Sequence, residues 1–207
     1  SGSMDGVDVR LSQGDVEALV GKLPHGKTGA YLNNKIPFVF DYADNDADVL
    51  PKSSKDLSHG THVAAIAAAN AADLQGTAPH AQIIVAKVAS DKDGSIPDNT
   101  VLAALDDAVV IKPDSINLSL GEDAGMGTEA GTVYSEVYKN LAKAGVTVNA
   151  AAGNSYSSAY SNYSGKNKPF ATDPDAGTLS EPASYSSTLA VASVNNQDAL
   201  PYLTVGE

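Results

Sequence analysis

The first third of the chain shows the apolar spacing of a helix and then that of a strand. Four apolar residues follow the i, i+3, i+4, i+7 spacing of an amphipathic helix: Val16, Leu19, Val20 and Leu23. Ser12 precedes them as a predicted N-cap, and Pro24 ends the helix. Residues 36–42 mix apolar and aromatic side chains as a strand does. The acidic residues 41–48 that follow predict an exposed loop.

The remainder of the chain alternates between helical and strand patterns. The predicted helices are an alanine-rich stretch over 58–70, a helix capped by Asp98 with Val101, Leu102, Leu105 and Val109 on one face, and a helix through Val133, Val137 and Leu141 that ends at Gly145. The predicted strands are 82–88, 115–120, 146–152 and 188–194, and residues 155–165 predict a long surface loop. This order predicts an α/β fold with three layers, in which helices cover both faces of a mostly parallel sheet and ligands bind at the carboxyl ends of its strands. No repeat or linker divides residues 1–207, which predicts one domain.

Composition narrows the classes of function. The 207 residues include 43% hydrophobic residues, enough for a continuous core without metal or disulfide support. There is no cysteine, which excludes a disulfide framework and a thiol nucleophile. A net charge of −12 with only 13 Lys and Arg argues against a nucleic-acid partner. No apolar run reaches the roughly 20 residues of a membrane span, so none is predicted in this piece.

The segment SHGTHVAAIAAAN, residues 58–70, places a histidine at the start of a helix of small residues. The helix dipole disfavours the imidazolium form there, which keeps His59 ready to accept a proton near pH 7. The small residues would let the helix pack deep in the core and hold His59 rigidly. An isolated pair such as His59 and His62 is more often structural. A metal site with nearby carboxylates is a further alternative, although no third ligand stands at zinc-like spacing.

Two more motifs follow in order. Residues 115–121, SINLSLG, form a predicted strand that ends in a glycine, and residues 149–154, NAAAGN, form a second strand that ends in Gly-Asn. A lone Gly-Asn after a strand is more often a turn. The ordered set of three motifs is much more specific than any one of them.

These motifs resemble those of subtilisin-like serine peptidases, and residues 10–45 most resemble the cell-envelope proteinases of lactic acid bacteria and related Gram-positive bacteria. The resemblance implies that His59 is the general base and acid, that His62 is structural, and that the Asn154 amide binds the oxyanion of the tetrahedral intermediate. It also implies substrate contacts along one strand and a wall of the first specificity pocket: Ser119, Leu120 and Gly121 in the strand, and Ala150, Ala151, Ala152 and Gly153 in the wall. No organic cofactor is implied. The expected substrate is an extended polypeptide, and the expected location is extracellular and associated with the cell wall.

The resemblance is incomplete in two places. Residues 5–8, DGVD, lack the strand and threonine of the family's aspartate motif, so Asp5 is not expected to be catalytic. Residues 2–4, GSM, match the serine motif only superficially, and Ser3 is not expected to be the nucleophile. We therefore expect a partial catalytic domain that is inactive alone, exposes apolar surface, and either self-associates or requires the missing parts of its own parent chain as partners. The alternative is a non-catalytic module that binds extended peptides.

One acidic segment partly matches a calcium-binding loop. Residues 44–48, DNDAD, match the opening of a calcium-binding loop, but Val49 and Lys55 stand where an EF-hand has glycine and glutamate. An EF-hand is therefore excluded. The composition favours a solvated acidic loop over a specific calcium site, which remains the alternative.

Overall fold

The computed structural model describes residues 6–52, 58–122, 132–154 and 179–193, and these ranges contain helices alternating with strands. The helices are α1 (Gln13–Val20), α2 (His59–Ala68), α3 (Asp98–Ile111) and α4 (Val133–Lys143). The strands are β1 (Phe38–Asp41), β2 (Asn70–Ala71), β3 (Leu74–Gln75), β4 (Ile84–Lys87), β5 (Ser115–Leu118), β6 (Thr147–Ala151) and β7 (Leu189–Val191). Within the described ranges, no helix is long and apolar enough to cross a bilayer.

Helix α1 begins where the sequence predicts. The Ser12 hydroxyl accepts a hydrogen bond from the backbone N–H of Asp15, and the Asp15 carboxylate accepts one from the backbone N–H of Ser12. This reciprocal capping box satisfies two N–H groups that would otherwise lack partners. The apolar face packs against β1, with Val16 and Leu23 buried beside Phe38 and Phe40. The predicted start of α1 is therefore confirmed. Its predicted end at Pro24 is wrong, because α1 ends at Val20 and Leu23 packs on β1 from the turn that follows.

The strands confirm the α/β class with mostly parallel pairing. Strand β1 pairs in parallel with β4, and β5, β6 and β7 form a second parallel group in that order. The β2–β3 hairpin is antiparallel and was not predicted from the sequence, because its strands are only two residues long. All four β1 residues are buried, as expected for a strand covered on both faces.

The parallel strands form two groups rather than one continuous ladder among the described residues. The chain at Arg10 lies between the starts of β4 and β5. The backbone N–H groups of Arg10 and Leu11 donate to the Gln82 side chain at 2.9 and 2.8 Å, just before β4. The Arg10 guanidinium donates to both Asp114 carboxylate oxygens at 3.2 Å, just before β5. Arg10 therefore contacts residues next to the starts of both groups.

The larger core lies between α3, α4 and β6. Tyr138 and Leu141 are at most 1% exposed and pack with Leu105 and Val148. The predicted apolar face of α4 is wrong at Val133, which is 66% exposed. A tyrosine replaces it, because the Tyr138 ring packs between two other rings: it stacks on Tyr134 at 6.3 Å and meets Tyr185 at 5.3 Å. At the helix ends, Pro97, not Asp98, is the N-cap of α3. Gly145 follows α4 with a φ of 81°, as the predicted end requires.

Helix α2 differs most from its prediction. It begins at His59 and ends at Ala68, as the sequence indicates. However, Ala68 is its only buried residue in the described structure, whereas Ile66 is 58% exposed. The expectation that small residues place this helix deep in the core is therefore wrong for the described residues. Its described packing is against the β2–β3 hairpin, where the backbone N–H of Thr77 donates to the carbonyl of Ile66 at 3.0 Å.

Candidate active site

His59 is the first residue of α2 and its side chain is exposed. The first helical hydrogen bond runs from the His62 N–H to the Ser58 carbonyl at 3.0 Å. The N–H groups of the first turn therefore point out of the start of the helix, where His59 lies. No side chain caps this turn within the described ranges. The histidine therefore sits at the positive end of the helix dipole, open to solvent. Among the described residues, the three side chains close enough to share a metal ion are Asp41, Asp44 and Asp91, so neither His59 nor His62 belongs to that group.

The segment after β5 separates from β6. The β5–β6 ladder ends at the Leu118–Ala150 pair, and Ser119, Leu120 and Gly121 follow outside it. The Asn117 side chain donates to the Ser119 hydroxyl at 3.0 Å and fixes the start of this segment. Leu120 packs against the larger core. The backbone of these three residues is therefore anchored by side chains rather than by strand pairing in the described structure.

The other half of the site follows β6. Ala150 is 1% exposed and Ala151 is half-buried, so the strand carries its small residues into the interior. The N–H of Ala152 donates to the Val191 carbonyl at 2.9 Å. Gly153 then adopts a φ of 103°, which favours glycine, and turns the chain away from the strand. Asn154 follows this turn with its residue exposed to solvent.

Residues 180–182 join these two segments, which sequence reasoning did not predict. The N–H of Ser180 donates to the Ala152 carbonyl at 3.0 Å, and the Ser180 side chain covers Gly153 so closely that a β-carbon there would overlap it. Glu181 exchanges backbone hydrogen bonds of 2.9 and 3.0 Å with Glu122. Its carbonyl oxygen lies against Gly121, leaving no room for a side chain. The segment thus links the backbone after β5 to the backbone after β6.

The structure therefore brings together most, but not all, of the residues singled out in the sequence. Ser119 to Gly121 follow β5 and Ala150 to Gly153 end β6, so the two segments lie at the carboxyl ends of neighbouring strands. Among the described residues, His59 makes no hydrogen bond to Asn154. His59 lies on helix α2, whereas Asn154 follows strand β6. Asp5 and Ser3 lie outside the described ranges, as do residues 155–165 and Lys55. The signal that could have indicated Ser180 is the Glu-Pro-Ala-Ser segment that follows it in the sequence.

Comparison with known proteins identifies the family. The profile of the subtilase family matches residues 26–206. The chain belongs to the subtilase family. This subtilase is 34% identical over 204 residues to the PI-type proteinase of Lactococcus lactis subsp. cremoris, an alignment that covers 95% of this chain and 10% of the relative. It is 31% identical over 181 residues to the C5a peptidase of Streptococcus pyogenes serotype M6, covering 83% of this chain and 14% of the relative.

Solved structures show the same fold. The protease domain of PatA superimposes with a TM-score of 0.58 at 22% identity, covering 84% of the subtilase chain and 53% of that domain. A psychrophilic protease superimposes with a TM-score of 0.55 at 24% identity, covering 82% and 52% of the two chains. The subtilisin-like α/β fold is therefore shown. The subtilase chain spans about a tenth of the length of the lactococcal relatives.

The contact between Gly153 and Ser180 gives a test of this geometry. Gly153→Ala should lower the free energy of unfolding by about 2 to 3 kcal/mol, because an alanine is strained at this φ and its β-carbon would overlap Ser180. The measurement is urea unfolding followed by circular dichroism. The matched control is Gly21→Ala, since Gly21 has a φ of −64° and open space around its α-carbon. That control should be neutral or slightly stabilising. Equal stabilities of the two variants would contradict the described turn.

The acidic segment 41–48, predicted to be exposed, is exposed at Asp44 and Asp48 but begins with a buried residue. Asp41 is fully buried, and one oxygen from each of Asp41, Asp44 and Asp91 lies within 4.8 Å of the others. The Lys87 ammonium forms ion pairs with all three carboxylates, at 2.8 Å to Asp91 and 3.4 Å to Asp44. Lys52 adds a second cation 2.9 Å from Asp91. The Lys87 ammonium occupies the position between the carboxylates that a calcium ion would need, so the arrangement does not fit calcium.

The ion pairs shift the pKa values in opposite directions. Burial alone would lower the pKa of Lys87, but hydrogen bonds to Asp41 and Asp91 outweigh it and raise that pKa. Hydrogen bonds from Lys87 and Lys52 lower the pKa of Asp91. A lowered aspartate pKa contributes stability that is lost as pH falls below about 4, and a raised lysine pKa contributes stability that is lost as pH rises above about 10. Between these limits the contribution is constant.

Removing the internal ammonium should be costly. Lys87→Met should lower the free energy of unfolding by about 3 to 5 kcal/mol at pH 7, because Asp41 would be left buried without a counter-ion. Lys92→Met, at an exposed neighbouring lysine, is the matched control and should change stability by at most about 0.5 kcal/mol. Thermal unfolding of the unmodified chain should be the same with EDTA and with calcium. A fall in Tm on adding EDTA would show that a metal, rather than Lys87, holds the loop.

Proposed function

We propose that this chain supplies the general base and the oxyanion donor of a serine endopeptidase. His59 takes the proton from the serine hydroxyl as the hydroxyl attacks the peptide carbonyl, and then gives that proton to the leaving amine. Asn154 donates its side-chain amide N–H to the oxygen that becomes negative in the tetrahedral intermediate. Both residues are exposed, one at a helix start and one after a strand, so each is accessible to a polypeptide.

The observation that carries the proposal is the packing of three chain segments at the carboxyl ends of β5 and β6. The segments after β5 and β6 lie side by side, with Ser180 packed on Gly153 and Glu181 packed on Gly121. Asn154 comes directly after the turn at Gly153. In α/β proteins, this end of a parallel sheet is where ligands bind. Membership of the subtilase family agrees with peptide hydrolysis as the chemistry.

The substrate is held as an added strand. Ser119, Leu120 and Gly121 leave the β5–β6 ladder, so in the described structure their backbone N–H and C=O groups have no strand partner. An extended peptide would hydrogen-bond to this backbone. The side chain before the scissile bond would then enter the space walled by Ala150, Ala151, Ala152 and Gly153. Ser180 would lie at the end of that space, because it covers Gly153.

The remaining two members of the catalytic unit come from sequence outside residues 1–207. The support is the sequence, because no aspartate stands in the family's aspartate motif and no serine stands in its helix-start motif. The parent protein would be extracellular and associated with the cell wall of a Gram-positive bacterium. The support for this location is the similarity to the lactococcal proteinases and the streptococcal C5a peptidase.

A non-catalytic peptide-binding module is the second candidate. It is favoured by the unpaired backbone at Ser119 to Gly121, which could bind a peptide without cleaving it. The two candidates differ in the parent reading frame, because an enzyme must carry the aspartate motif and the serine motif on either side of this region. Sequencing that reading frame distinguishes them.

The oxyanion role of Asn154 can be tested in the parent enzyme. Asn154→Ala should lower kcat by roughly 100- to 1000-fold and change KM much less, because the amide contacts charge that exists only in the transition state. The measurement is steady-state hydrolysis of a fluorogenic peptide.

Two comparisons make this test specific. Asn154→Asp keeps the shape of the side chain but has no N–H donor, so it should lose at least as much turnover as the alanine variant. Circular dichroism and Tm should match the parent for both variants. Wild-type turnover in either would eliminate Asn154 as the oxyanion donor.

A further inference from the structure

A cleft of about 450 Å³ opens at the carboxyl end of β1, and none of its residues belongs to the proposed catalytic site. It is lined by the loop after α1, the end of β1 and the first turns of α3: Pro24, His25, Phe40, Tyr42, Asn45, Asn99 and Ala103. The volume is within the range of small-molecule sites, about 300 to 1,000 Å³. None of the lining residues is a lysine or an arginine.

A buried carboxylate lies behind this cleft. Asp107 is fully buried and accepts hydrogen bonds from the N–H groups of His25 at 3.0 Å and Gly26 at 2.6 Å. It also accepts one from the Tyr42 hydroxyl at 2.8 Å. All three donors are uncharged, so they satisfy the carboxylate oxygens without cancelling the negative charge. Burial and this carboxylate raise the pKa of Tyr42, which keeps its hydroxyl protonated as a donor.

A second carboxylate stands beside the cleft. Asp106 is the preceding residue of α3, its side chain is 54% exposed, and its Oδ2 lies 3.2 Å from Nε2 of His25. The two carboxylates give the cleft a negative potential that concentrates cations. Apart from the His25 imidazole, the lining residues are uncharged side chains.

The remaining lining groups suit an organic cation. Phe40 and Tyr42 meet edge to face with their ring centroids 4.8 Å apart, and an aromatic face attracts an ammonium or a guanidinium. Asn45 and Asn99 add carboxamide oxygens that accept hydrogen bonds, and Asn45 is held in a left-handed conformation with a φ of 60°. Aromatic carbon, amide oxygens and carboxylates together match a cationic group on an apolar stem.

We propose that this cleft binds the basic side chain, arginine or lysine, of a polypeptide. The aliphatic stem lies against Tyr42 and Ala103. The charged group is directed toward the partly exposed carboxylate of Asp106, and the buried Asp107 acts only through its charge. The site acts independently of peptide-bond cleavage, since it uses none of the residues proposed for catalysis. It would hold a basic residue of a bound polypeptide away from the bond that is cleaved.

The test uses the 207-residue chain and capped amino acids. N-acetyl-arginine amide is titrated while backbone amide shifts of the isotope-labelled chain are followed by NMR. Binding is expected with a Kd on the order of 1 mM, with shifts at His25, Asn45, Asn99 and Ala103. N-acetyl-citrulline amide, which has nearly the same shape without the charge, should not bind at ten times that concentration. Equal binding of the citrulline compound would overturn the proposal.

Three variants locate the site. Asp106→Asn should weaken binding about three- to fivefold and reduce its salt dependence, because a partly exposed charge makes a modest contribution. Ala103→Leu should abolish binding by filling the cleft. Asp73→Asn, the same charge change in the β2–β3 turn, should leave the Kd unchanged. Thermal unfolding of each variant establishes that it is folded. Unchanged binding in a folded Ala103→Leu variant, or in Asp106→Asn, would refute the assignment.

Discussion

The 207-residue chain by itself is expected to hydrolyse no peptide at a measurable rate. Removing the serine or the histidine of subtilisin costs about a million-fold in kcat, and this chain has neither the serine motif nor the aspartate motif of the family. The described structure adds a second reason. Helix α2 is largely exposed, and in the described ranges no hydrogen bond between His59 and Asn154 fixes their relative position. The measurement is hydrolysis of casein and of a fluorogenic peptide library.

Adding the missing chemistry should restore activity. Separately produced segments of the parent chain that carry the aspartate and serine motifs are mixed with the 207-residue chain. Hydrolysis should appear only with all components present, and a fluorophosphonate should label the added serine. The control mixture contains the His59→Ala form of the chain and should remain inactive. If the fluorophosphonate instead labelled Ser3 or another serine of this chain, the motif assignments would be wrong.

In the parent enzyme, His59→Ala should lower kcat by about a million-fold while leaving the fold intact. The imidazole is the group that accepts and returns the proton, and it is the first residue of α2. His62→Ala is the matched control, because His62 is also exposed and lies one turn further along the same helix. It should retain most of its turnover. Steady-state kinetics with Tm values for both variants decides the result, and a comparable loss in both would remove the distinction between the two histidines.

Elements with local signals were predicted well from the sequence. The capping box at Ser12 and Asp15 fixes the start of α1, and the strand that follows is buried along its whole length. The order of strands and helices gave the parallel pairing of β5 and β6, since a helix of eleven residues connects them. The chemistry at His59 and Asn154 rests on the same kind of local motif and stays a prediction.

Features that depend on distant contacts could not be predicted. Burial of α2 requires partners that its own alanines do not specify. The contacts of Ser180 with Gly153 join residues far apart in the sequence, and nothing in either local pattern indicates the other. The acidic segment 41–48 was predicted to be exposed because aspartates usually are, and Asp44 and Asp48 are exposed. Asp41 is buried instead, because Lys87 on the neighbouring strand supplies the compensating charge.

The exposed apolar residues on α2 and β7 have a consequence for how the chain behaves in solution. Ile66, Leu189 and Val191 are each more than half exposed, on a chain that carries a net charge of −12. At low ionic strength the like charges keep copies apart, because the screening length is about 30 Å at 0.01 M salt. At physiological salt it falls to about 8 Å, and apolar contacts between copies are no longer opposed at a distance. Dilute low-salt buffer should therefore keep the chain monodisperse, whereas sulfate should drive it into reversible oligomers.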